Sequence, residues 1–109
     1  MDTVMQKVRD LVNSIRRTEE YRHYKKLIAQ IQEDSELTKR LEEFRRENYD
    51  LQVSGQNLFD AEDELRGRYS DLFSNPLAVD MIETENSVCR LIRSVYMEIS
   101  RSVPVDPPK

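Results

Sequence analysis

From Leu37 onward the sequence follows a 4-3 register without a slip, over positions 37, 41, 44, 48, 51, 55, 58, 62, 65, 69 and 72, most of them apolar. Such a register belongs to helices that bury one seam against another helix, and it leaves no room for strands over the middle of the chain. One series, Leu37, Phe44, Leu51, Leu58, Leu65 and Leu72, is wholly apolar. The other, Leu41, Asn48, Gly55, Glu62 and Tyr69, carries a polar or small residue at its three central positions. A seam that is good on one side only suits a half-apolar helix in an asymmetric bundle better than an ideal two-stranded zipper.

As one straight helix, residues 35 to 73 would run close to 58 Å at about 1.5 Å per residue. A compact chain of this size has a radius of gyration of about 13 Å, so the rod must either pack on a partner chain or break. Val53-Ser54-Gly55-Gln56-Asn57 is the expected break, with Gly55 left-handed at the helix end and Asn57 or Asp60 capping the restart. The acidic run Asp60, Glu62, Asp63 and Glu64 then sits near a helix N-terminus, where the helix dipole favours it.

The flanking segments read as helices too. Val4, Val8, Leu11, Val12 and Ile15 form one stripe on a helix over roughly 2–16. Thr18 followed by Glu19 and Glu20 caps a second, whose apolar set is Tyr21, Tyr24, Leu27, Ile28 and Ile31, and Asp34-Ser35 caps the third. Asn75-Pro76 opens the last helix, with Asn as cap and Pro at the first helical position. Its expected buried face is Val79, Ile82, Asn86, Cys89, Ile92, Tyr96, Ile99 and Val103, widened by Val88, Leu91 and Val95. The fold expected is all-α: an elongated bundle or hairpin of four to five helices, oligomeric, in one domain over 1–103, followed by a disordered proline-rich tail over 104–109.

That patterning fits a chain of 109 residues that is 35% charged, above the roughly 25% of an average domain. A core this small gains from association with a partner, and Leu37, Leu41, Phe44, Leu51, Leu58 and Leu65 are the expected interface. Seventeen Lys and Arg against twenty-one Asp and Glu give a net charge of −4, which disfavours a global pull toward nucleic acid or anionic membrane. No apolar run exceeds three residues, so neither membrane insertion nor export is expected and the location read is cytoplasmic.

Few side chains offer chemistry. Cys89 is the single cysteine and His23 the single histidine, too few ligands for a structural zinc site. Cys89 lies on the apolar stripe of the last helix and reads as a small core residue, although copies meeting at a symmetry axis would bring several thiols together for a metal or disulfide. His23 has no ligand at three or four residues and reads as a partly exposed histidine in a basic segment. Asp60 and Glu64 read as a solvated face rather than a cation or acid–base site. No nucleophile elbow frames a serine, so catalysis is not expected.

One segment is ambiguous. Arg16, Arg17, Arg22, Lys25 and Lys26 outnumber Glu19 and Glu20 and interleave with Tyr21 and Tyr24, the composition of a single-strand nucleic-acid platform. The tyrosines also fall on the helix's apolar stripe, which makes direct RNA binding the alternative rather than the leading reading. The same cations also match the acidic run 60–64 of another copy.

As an ordered series, Thr18-Glu19-Glu20-Tyr21, Gln32-Glu33-Asp34, Leu41-Glu42-Glu43-Phe44-Arg45, the glycine-containing interruption, Asn75-Pro76 and Glu83-Thr84-Glu85-Asn86 resemble the YlbF/YmcA family of bacterial helical proteins, over roughly residues 4 to 102. The resemblance implies an all-helical fold that forms dimers or higher oligomers in the cytoplasm of Gram-positive bacteria. It also implies a role in competence, biofilm formation and sporulation, through complexes of family members that adjust messenger-RNA processing by a membrane-anchored ribonuclease. The expected partners are therefore further copies, other YlbF/YmcA-like proteins and a ribonuclease. Some members carry a cysteine-rich C-terminal tail connected with shared iron–sulfur clusters; this sequence runs to Pro-Pro-Lys without tail cysteines, and no cofactor is expected. A helical chaperone or secretion-type hairpin is a further class that the length allows, but the absence of any Trp, and hence of a Trp-x-Gly turn, counts against the small secreted version.

Overall fold

The computed structural model describes residues 2–55 and 58–106, with the side chain of Leu58 excluded. Its described residues form six helices and no strand: α1 Asp2–Arg16, α2 Glu19–Gln32, α3 Ser35–Ser54, α4 Leu58–Arg68, α5 Ser70–Phe73 and α6 Pro76–Ser102. The helix starts follow from local side-chain chemistry. Thr18 Oγ1 accepts from the Tyr21 amide at 3.2 Å, Asp34 Oδ1 from the Leu37 amide at 3.0 Å, and Asn75 Oδ1 from the Leu77 amide at 3.0 Å. Each cap satisfies one of the amides that a helix start leaves without a partner.

The long heptad segment breaks where its glycine stands. Gly55 closes α3 in the left-handed region with φ 74°, a conformation that any side chain would strain. The expected cap at Asn57 lies outside the described residues, as does the end of the tail at 107–109. A second interruption was not expected: α4 ends at Arg68, and Tyr69, with φ −110° and ψ 31°, separates it from the short α5. Gly67 lies two residues before that break, within the last turn of α4 and without a positive φ, and no proline stands there.

The chain divides into two compact units, one of residues 25–82 and one of residues 1–24 with 83–109. The first holds nearly all of the core: Leu27, Ile31, Leu37, Leu41, Phe44, Leu65, Tyr69, Leu72, Ala78 and Met81 are buried. Phe44 is the aromatic centre, edge-on to Tyr69 at 5.4 Å and to Phe73 at 5.5 Å between ring centres. Both distances lie in the range where edge-to-face pairs add to area burial.

The second unit is built differently. α1 has no buried residue, and only Leu11 and Ile15 of its stripe are half-buried. On α6 the covered side runs through Thr84 and Val88, then half-buried Leu91 and Val95. The expected face is rotated away from this side. Cys89, read from sequence as core, is exposed, as are Asn86, Ile92, Tyr96, Ile99 and Val103. Val79 and Ile82 of the expected face are half-buried, and from Thr84 onward the residues read as its margin, Val88, Leu91 and Val95, are the sheltered ones.

Candidate interaction surfaces

Most of the residues expected from the heptad to form an interface are sheltered within their own chain. Leu37, Leu41, Phe44 and Leu65 are buried within their own chain and Leu51 is half-buried, while the side chain of Leu58 lies outside the described set. Their seam is closed by folding back, because the break at Gly55 lets α4 pack on α3. Leu41, at 1% exposure, has nothing left to offer a partner.

The apolar surface that stays open lies in the second unit. Val4, Met5, Val8 and Val12 of α1 and Ile92, Tyr96, Met97 and Ile99 of α6, with Val103 just beyond its end, are all exposed large hydrophobic residues. Val4, Val8 and Val12 repeat every four residues, and Cys89, Ile92, Tyr96, Ile99 and Val103 alternate by three and four, so each set forms one continuous stripe. Exposed apolar stripes of this length are the kind of surface that marks a protein contact. Tyr96, 69% exposed, is the residue type most often found as an anchor in such surfaces.

The basic segment is presented to solvent. Arg16, Arg17, Arg22, Lys25 and Lys26 are exposed, while Tyr21 and Tyr24 are half-buried with their rings tilted at 44° and 6.1 Å apart. The tyrosines therefore serve packing at least as much as display. His23 lines a shallow open cleft with Glu19, Glu20, Thr84 and Ser87, and among the described residues no cluster of three or more potential metal ligands exists.

A polar clamp in the first unit escaped the sequence reading. Arg40 of α3 donates Nε and Nη2 to the two carboxylate oxygens of Asp71 in α5, each at 3.0 Å. It also donates Nη2 to the Arg68 carbonyl at 2.9 Å and lies 4.1 Å over the Tyr69 ring. The paired guanidinium holds the Asp71 carboxyl below its ordinary range, and Asp71 in turn holds Arg40 charged. Burial pushes the Tyr69 phenol up, helped by the carboxylate of Glu47, which lies 3.1 Å from Arg68 Nη1. The clamp grips a helix-end carbonyl and a buried ring across the break at Tyr69, so it fixes structure rather than supplying a reactive group.

No helix among the described residues is long and apolar enough to cross a membrane. In comparison with known proteins, the family model described as control of competence regulator ComK, YlbF/YmcA, matches residues 4–104. No curated protein and no solved structure matches the chain.

Proposed function

We propose that this chain, which belongs to the YlbF/YmcA family of control of competence regulators, works without catalysis, as an oligomeric adaptor. The observation that carries this reading is the uncovered apolar stripe on α1 and α6, Val4, Val8, Val12, Ile92, Tyr96 and Ile99 above all. A monomer in water gains nothing by leaving two such apolar stripes exposed, and surfaces of this kind mark protein contacts. Copies of the chain cover it first. Other family members present the natural alternative partner, and a ribonuclease that processes messenger RNA is the expected client of the assembly.

The reading is tested by molar mass in solution. Light scattering at micromolar concentration is expected to give a dimer or larger species, and replacing Ile92 and Ile99 by Asp is expected to give a monomer of unchanged helicity. An RNA-binding role is the second reading, favoured by the exposure of Arg16, Arg17, Arg22, Lys25 and Lys26. Failure to retain a single-stranded oligonucleotide at low salt removes it.

A further inference from the structure

The break at Tyr69 exchanges one backbone hydrogen bond for a side-chain one. In an unbroken helix the Leu72 amide would donate to the Arg68 carbonyl, four residues back. Here it donates to the Tyr69 carbonyl at 2.9 Å, and the Arg68 carbonyl accepts Arg40 Nη2, also at 2.9 Å. On either side of the exchange the helical ladder runs through Tyr69. Its amide donates to the Leu65 carbonyl at 3.1 Å, and its carbonyl accepts the Phe73 amide at 3.2 Å. With φ −110° and ψ 31°, Tyr69 departs from helical geometry by about 50° in φ and about 70° in ψ. Rotation at one residue therefore separates α4 from α5.

Little in the local sequence holds that rotation. Residues 65–73 contain no proline, and Gly67, which weakens a helix, still sits inside α4 without a positive φ. The 4-3 spacing passes through the break, so Leu65, Tyr69 and Leu72, all buried, would share one face of a continuous helix as well. The hold comes from α3. Arg40 grips the Arg68 carbonyl before Tyr69 and the Asp71 carboxylate after it, with its guanidinium over the Tyr69 ring. The other charges around the joint are Glu43, 3.3 Å from Arg40 Nη1, Glu47, 3.1 Å from Arg68 Nη1, and Arg66, over the Phe73 ring. Both partners of the clamp meet solvent, Arg40 at 35% and Asp71 at 57% side-chain exposure, so dissolved salt screens and competes for their contact.

We propose that Tyr69 is a two-position joint: with Arg40 on Asp71 and the Arg68 carbonyl the helix is broken, and with Arg40 released residues 58–73 run as one helix. The exchange then returns the Arg68 carbonyl to the Leu72 amide and leaves no buried backbone group without a partner. Rising salt shifts the population toward the continuous helix by weakening one state only. The joint lies wholly within the unit of residues 25–82 and does not depend on the apolar stripes of α1 and α6.

Backbone NMR of the full chain reads the joint directly, through the Cα shifts of Tyr69, Ser70 and Asp71 and the exchange rate of the Leu72 amide. At about 0.05 M salt the wild type is expected to show a non-helical Tyr69, and at about 0.5 M, where the Debye length falls below the ~10 Å reached near 0.1 M, a shift toward helical values. Arg40→Met, which keeps an apolar stem without the charge, is expected to show helical values at both concentrations, and Asp71→Asn to lie between. Unchanged shifts at Leu27, Ile31 and Leu41 show that the unit stays folded. If Arg40→Met unfolds the unit, Arg40→Gln and the wild-type salt series decide in its place. A Tyr69 that stays non-helical in a folded Arg40 variant overturns the proposal, as does a wild type whose Tyr69 ignores salt or is already helical at low salt.

Discussion

The Arg40 guanidinium meets the Asp71 carboxylate edge to edge, through two hydrogen bonds of 3.0 Å that span 31 residues of sequence. The same side chain takes up the Arg68 carbonyl at 2.9 Å, one of those left unpaired where α4 ends. One arginine therefore holds α3 to the junction of α4 and α5. Its planar fork does this through several donors at once, a geometry that lysine cannot reproduce.

Arg40→Lys and Asp71→Asn are accordingly expected to lower the thermal midpoint, with Arg40→Lys behaving more like Arg40→Ala than like the wild type. The Asp71 carboxyl is held below its ordinary value, so its contribution is present above the unfolded-state value and is lost as pH falls through the lowered one. Denaturant titrations at a series of pH values should show the gap between wild type and Asp71→Asn at neutral pH closing in acid.

The Tyr69 phenol is displaced upward, chiefly by burial and then by the Glu47 carboxylate. Here the sign is opposite: the contribution is complete below the ordinary tyrosine value and is lost as pH rises through the raised one. Absorbance titration of phenolate is expected to show a late component that disappears in Tyr69→Phe.

Leu41 is 1% exposed at the centre of the first unit, whereas Val8 of α1 is 40% exposed. Leu41→Ala is expected to cost about 2–5 kcal/mol, the range for emptying a core leucine site. Val8→Ala should stay within about 0.5 kcal/mol in the monomer, as exposed substitutions do. Urea denaturation of both variants checks the contrast.

The two glycines should respond in opposite directions. Gly55 has φ 74°, so Gly55→Ala is expected to destabilise the chain by about 1 kcal/mol. Gly67 stands in a helix with open space around it, and Gly67→Ala is expected to stabilise by about 0.5–1 kcal/mol. Thermal melts of the two variants measure both.

What was legible in the sequence was local. The caps at Thr18, Asp34 and Asn75 were readable because each rests on one oxygen and an amide two or three residues on. Gly55 was readable because a glycine interrupting a heptad has few other uses. The break at Tyr69 was not, since its partners Arg40 and Glu47 come from α3 and nothing nearby distinguishes them from the chain's many other charges. The covered side of α6 was misread for a related reason. Its stripe spans both Val88, which is buried, and Cys89, which is exposed, and periodicity alone gives the width of an apolar face without saying which half its own chain occupies. The heptad likewise announced a seam to be covered, and only the fold-back at Gly55 decided that α4 covers it.

Molar mass by light scattering, for the wild type and for a variant carrying Val8→Asp and Ile99→Asp, tests the open α1 and α6 surface most directly. Association of the wild type at micromolar concentration that persists in high salt, with a monomeric and fully helical variant, is the expected result. A wild type that stays monomeric, or a variant that associates as strongly as the wild type, would contradict it.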